Sequence, residues 1–118
     1  MGVILDTSVL IDAERKGLTV GGLLRNVQAK FGLEELSLAT VSVAEFEHGI
    51  WRARDEGRKQ RRQEFLEELL AAVPPYPLTV TVARKVGRMD AECKKNGNAV
   101  AFQDLVIGAT ALRSVTAS

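Results

Sequence analysis

The chain has 118 residues, of which 46% are hydrophobic and 26% charged, enough for one globular domain with its own core. Sixteen basic residues face 15 acidic ones for a net charge of +1, which excludes a global attraction to polyanions and leaves any such binding to local placement. One cysteine excludes an internal disulfide, and no leader pattern or bilayer-length apolar run is present, so a soluble cytoplasmic protein without membrane contact is expected.

No repeat or low-complexity linker divides the chain, so residues 1–118 are expected to form a single domain. Residues 2–5 (GVIL) are a short Val/Ile-rich run and predict a buried strand ending at Asp6. Residues 7–13 predict a short helix entered directly from that strand. A second helix is predicted over 19–31, with Val20, Leu23, Leu24, Val27 and Phe31 at helical spacing.

Residues 36–41 predict a second strand, after which Ser42 starts a helix with Val43, Phe46 and Ile50 on one face. Gly57 is expected to separate that helix from another, carrying Phe65, Leu66, Leu69 and Leu70, which Pro74-Pro75 stops. The alternation Tyr76, Leu78, Val80 predicts a third strand. A helix over 80–95, ended by Gly97, and a last helix over 102–112 complete the set. Strands alternating with helices predict an α/β fold: a central parallel sheet flanked by helices in three layers, with right-handed crossovers. Ligands of such folds bind beyond the carboxyl ends of the strands.

Three acids stand out because apolar residues flank them: Asp6 after Val-Ile-Leu, Glu45 between Val43-Ala44 and Phe46, and Asp104 before Leu-Val-Ile. Singly, each is equally well explained by helix-end chemistry. Asp6 suits an N-cap, Ser42-x-x-Glu45 reads as a capping box, and Asp104 suits the positive end of a helix dipole. Together they converge on one sheet edge. Two carboxylates about 4 Å apart repel by roughly 4 kcal/mol at an effective dielectric near 20, so a cluster of three calls for a cation. Oxygen-only ligands suit Mg²⁺ or Mn²⁺, whereas a lone His48 and a distant Cys93 argue against zinc. Thr7 and Ser8 stand beside Asp6, where a hydroxyl orients a ligand carboxylate or simply serves the helix start.

The segments VILDTSVLID, TVSVAEFEHGI and FQDLVIGATAL resemble PIN-domain proteins, in particular the VapC toxins of bacterial toxin–antitoxin pairs. The resemblance covers nearly the whole chain, in the family's order. It implies a Mg²⁺- or Mn²⁺-dependent endoribonuclease, a hydrolase of RNA phosphodiester bonds, held inactive by a VapB-like antitoxin and acting as a homodimer. It assigns metal binding and catalysis to Asp6, Glu45 and Asp104. The family pattern continues through a short strand with a Thr-x-Asn/Asp element and a final Asp-Phe segment. Here Thr116 lies 12 residues after Asp104 and the chain ends at Ser118. The C-terminal strand is therefore expected to be missing or divergent, with no fourth ligand. A catalytically impaired PIN-like interaction module and a PIN-type nuclease or phosphohydrolase that is not a toxin stay open as alternatives.

Residues 52–62 hold six Arg or Lys against two acids. A helix running through Gly57 would put Arg54, Arg58 and Arg62 on one stripe for RNA phosphates, with Trp51 before it. A solvated face beside a core tryptophan is the plainer reading of the same residues.

Overall fold

The computed structural model describes residues 2–32, 35–110 and 113–115. Elements follow in the order β1 (Val3–Leu5), α1 (Thr7–Arg15), α2 (Val20–Phe31), β2 (Leu36–Ala39), α3 (Thr40–Arg52), α4 (Glu56–Ala72), β3 (Pro75–Tyr76), α5 (Val80–Lys95), α6 (Phe102–Ala109) and β4 (Arg113–Val115). The sheet order is β3-β2-β1-β4 and every pairing is parallel. The expected α/β fold with helices on both sheet faces is what the chain adopts.

β1 is central and wholly buried, which explains its unbroken apolar run. Because side chains alternate across a strand, its residues serve two cores. Val3 and Leu5 join Leu38 and apolar residues of α1, α2, α3 and α4 on one face. Ile4 meets Ala39 and Ile107 on the other, where α6 lies against the sheet and packs with α5 through Val82, Val86, Leu105 and Val106.

Several boundaries differ from those the sequence suggests. β4 pairs with β1, Val3 opposite Arg113 and Leu5 opposite Val115, so the C-terminal strand is present. Thr116, the residue nearest the family's tail element, lies outside the described residues. The third strand is only Pro75–Tyr76. The Thr79 hydroxyl accepts from the Val82 amide at 3.2 Å, so a helix cap interrupts the Tyr76–Leu78–Val80 alternation and Val80 begins α5. α6 ends at Ala109 rather than 112, with the Thr110 hydroxyl donating to the Ile107 carbonyl at 2.7 Å. Positions 111 and 112 lie outside the described residues.

α3 starts at Thr40, two residues before the expected Ser42. The Thr40 hydroxyl donates to the Tyr76 carbonyl at 2.6 Å and ties the helix start to β3. The α3–α4 break falls at 53–55 rather than at Gly57. Gly57 lies inside the first turn of α4, and its amide donates to the capping carboxylate of Asp55 at 2.9 Å.

Candidate active site

The carboxyl edge of the sheet gathers the three acids by three routes. Asp6 is the first residue after β1 and leaves it with extended backbone, φ −84° and ψ 156°. Glu45 lies in the second turn of α3, the helix that leaves the end of β2. Asp104 lies in the first turn of α6, and a helix that leads into a parallel strand begins at the carboxyl edge of its sheet. Connections from β1 diverge here, β2 on one side and β4 on the other.

The helix-end explanations fare differently. Asp6 occupies the N-cap position of α1 but makes no side-chain cap bond. Its carboxylate instead accepts the Ser8 hydroxyl at 2.9 Å. Ser42 is wholly buried inside the first turn of α3, whose N-cap is Ala39, so the Ser42–Glu45 capping box does not form. Asp104 does sit where the α6 dipole favours an acid.

Glu45 reports on its neighbours. Its carboxyl is pushed above the ordinary 4.5, first by burial, then by the charge of Asp6, then by that of Asp104. Asp6, Glu45 and Asp104 therefore share one electrostatic field, although they are far apart in sequence. Among the described residues, no three His, Cys, Asp or Glu side chains stand gathered tightly enough to grip one ion as they are. Mutual repulsion is sufficient reason for three carboxylates to stand apart. Thr7 is buried at the strand end beside Asp6. His48 is exposed and Cys93 half-buried on α5, away from the acids in sequence and in element.

The PIN domain family model matches residues 3–116. The chain belongs to the PIN-domain family. Its fold is similar to VapBC2 from Rickettsia felis bound to a promoter DNA fragment, with a TM-score of 0.78 at 15% identity over 100% of both chains. It is similar to VapBC-1 from nontypeable Haemophilus influenzae, with a TM-score of 0.73 at 16% identity over 98% of both chains. VapBC-5 from Mycobacterium tuberculosis, a member of a toxin–antitoxin family, gives a TM-score of 0.69 at 23% identity over 100% of this chain and 86% of that one. No curated protein matches the chain.

Beside the acids, this PIN domain carries a basic concavity. Because the chain breaks between α3 and α4, Arg54 lies in the connection, and only Arg58 and Arg62 share a helix. Arg62 ties elements together: it pairs with Glu14 of α1 at 3.5 Å and donates to the Gly49 carbonyl of α3 at 3.1 Å. Arg52, Arg54, Arg58 and Arg62 line one hollow with Gly49, Ala53 and Asp55. A smaller hollow, lined by Glu45, Phe46, Ile11, Glu14 and Arg15, shares Gly49 and Arg62 with it. Sequence reasoning missed Arg52 and the Glu14–Arg62 pair. The spacing of Arg52, seven residues after Glu45, was the available signal, since i and i+7 share a helix face. Trp51 is not in the core: it is 64% exposed, with the Lys59 ammonium 3.9 Å from its ring centroid. Among the described residues, no helix is long and apolar enough to cross a membrane.

Proposed function

We propose that this PIN domain is a Mg²⁺- or Mn²⁺-dependent endoribonuclease and the toxin half of a toxin–antitoxin pair. What supports this reading is the position of Asp6 at the end of β1, Glu45 in the second turn of α3 and Asp104 in the first turn of α6, all toward one edge of the sheet. The Glu45 carboxyl is raised there by burial and then by the charges of Asp6 and Asp104.

The donor set fits the ion. All three groups are carboxylates, hard oxygen donors of the kind Mg²⁺ and Mn²⁺ take, and a bound cation would offset the repulsion from Asp6 and Asp104 that adds to burial in raising Glu45. Asp6, Glu45 and Asp104 are the residues that would hold it. Bound there, a divalent cation supplies positive charge against the charge developing on the scissile phosphate. The chain does the rest. Ser8 fixes the orientation of the Asp6 carboxylate through their hydrogen bond. A carboxylate of the trio that the cation leaves free is suited to take a proton from the attacking water.

The partner reading rests on the company this fold keeps. The similar structures named above are VapBC pairs, two of them from toxin–antitoxin or promoter-bound complexes. A VapB-like antitoxin is the corresponding partner here. Leu78, Val80 and Val100, exposed around α5, are apolar surface that a second copy would cover in a homodimer.

The test is cleavage of labelled single-stranded RNA, with single-stranded DNA of the same sequence alongside. Wild type and Asp6→Asn are compared in Mg²⁺, Mn²⁺ or EDTA. The expected result is RNA cleavage that needs the metal and is lost in the variant. Equal cleavage by both proteins, or cleavage that survives EDTA, defeats the assignment.

A further inference from the structure

We infer that the arginine-lined hollow between the end of α3 and the start of α4 binds the sugar–phosphate backbone of single-stranded RNA on its way to the acids. The inference rests on the nuclease reading above and adds the path of the substrate.

Several charges around the hollow already have partners. Arg62 is held by Glu14 and by the Gly49 carbonyl, with both charged side chains less than one-fifth exposed. Asp55, the acid in the hollow, caps α4 and keeps its negative charge, so it offsets one of the guanidiniums there. Lys59 lies against Trp51. Arg52, Arg54 and Arg58 are left exposed, and none of them forms an ion pair among the described residues. A near-neutral overall balance does not explain three exposed guanidiniums against one carboxylate in a single hollow. A polyanion does.

Position supplies the direction. Glu45, Gly49 and Arg52 recur at four and three residues along α3, which puts them on one face over about 10 Å of helix. The arginine hollow and the hollow at Glu45 meet at Gly49 and Arg62. Gly49 carries no side chain at that junction, and a Cβ built there meets nothing within 4 Å, so the two hollows stay connected. A strand whose scissile phosphate lies at the acids therefore has its neighbouring phosphates led along α3 toward Arg52, Arg54 and Arg58.

Size and lining set the class of ligand. The hollow is about 460 Å³, the scale of a pocket for one small molecule, with room for a nucleotide or two of one strand. No aromatic ring lines it, so it offers guanidiniums for phosphates and no platform for stacking bases. It grips backbone without reading sequence.

The test measures binding apart from cleavage. A fluorescein-labelled 12-nucleotide uridine RNA is titrated with the full chain in EDTA, and Kd is followed by anisotropy from low to moderate salt. The triple variant Arg52→Gln/Arg54→Gln/Arg58→Gln is expected to weaken binding at least tenfold. It should also flatten the slope of log K against log salt by about two, the loss of three phosphate contacts on a single strand. Arg84→Gln/Arg88→Gln, which removes two exposed charges on α5 away from the hollow, is expected to leave both values unchanged.

Unchanged affinity and slope in the triple variant overturn the inference. So does equal weakening by the α5 pair, which means undirected charge. Displacement of the RNA by a polyglutamate peptide at equal charge concentration overturns it too, because the hollow is then an acidic-peptide site. Cleavage by Asp6→Asn is scored separately. If that variant still cuts while the triple variant fails to bind, the nuclease assignment falls and the hollow stands. If Asp6→Asn is dead and the triple variant binds normally, the hollow alone falls.

Discussion

The Ser8 hydroxyl donates to Asp6 Oδ2 at 2.9 Å across the turn where β1 becomes α1. The residue at the N-cap position of α1 thus turns its carboxylate away from capping and receives support from the helix it precedes. Orienting bonds of this kind are worth roughly 10–100-fold in metal affinity or activity. Ser8→Ala should lower metal-dependent RNA cleavage by about that factor with the fold intact, and Ser8→Thr should keep most of it. A Mg²⁺ titration of kcat/KM checks both, and wild-type values for Ser8→Ala would remove Ser8 from the site.

Glu45 gives a pH dependence whose sign is fixed. Its carboxyl is raised above 4.5 by burial and by Asp6 and Asp104, so the folded chain holds this proton more tightly than the unfolded one. In the metal-free protein that contribution is present below the ordinary value and is lost as pH rises through the raised folded one. Glu45→Gln should flatten this decline, and so should saturating Mg²⁺ with the wild type. Thermal unfolding across pH 4 to 8 reads it, in EDTA for the two proteins and in Mg²⁺ without chelator for the wild type. A decline identical in wild type and variant contradicts the shared field.

The Glu14–Arg62 pair joins α1 to α4, with the same guanidinium on the Gly49 carbonyl of α3. Both side chains are mostly buried, so removing one partner strands the other. Arg62→Ala should destabilise the fold by about 1–3 kcal/mol, and Glu14→Gln, which leaves a neutral acceptor, by less. Urea unfolding of the two variants measures the ordering. A reversed order means that Arg62 serves ligand rather than fold.

Gly108 offers a control of the opposite sign. A Cβ there meets the Met89 Cε at 3.3 Å, the far end of a flexible side chain. Met89 can yield, and alanine gains up to about 1 kcal/mol of helix propensity over glycine. Gly108→Ala should therefore be neutral or mildly stabilising in the same urea experiment. A loss above about 1 kcal/mol would show that α6 and α5 need the closer approach.

The sheet and most helices were legible because β1 and the buried helix faces follow simple periodicities, as in Val3–Leu5 and in Val82, Val86 and Met89. Boundaries set by distant contacts were not. The start of α3 is fixed by Thr40 reaching Tyr76, 36 residues away, which no local window contains. β4 was hidden because a three-residue central-sheet strand, Arg113–Val115, carries too little pattern to stand out. At the site, the three acids could be picked out by their apolar flanks. Which of them were caps could not, since the capping box at Ser42 looked sound until the helix began two residues earlier. The arginine hollow depends on where α3 breaks from α4, and Gly57 pointed to the wrong position.

Whether three carboxylates form one cation site is measured directly by calorimetric titration of the full chain with Mn²⁺. Wild type should bind Mn²⁺, while Asp6→Asn, Glu45→Gln and Asp104→Asn should each weaken binding by tenfold or more, with the double variants losing it. Mn²⁺ affinity unchanged in any two of the three single variants would contradict a shared site.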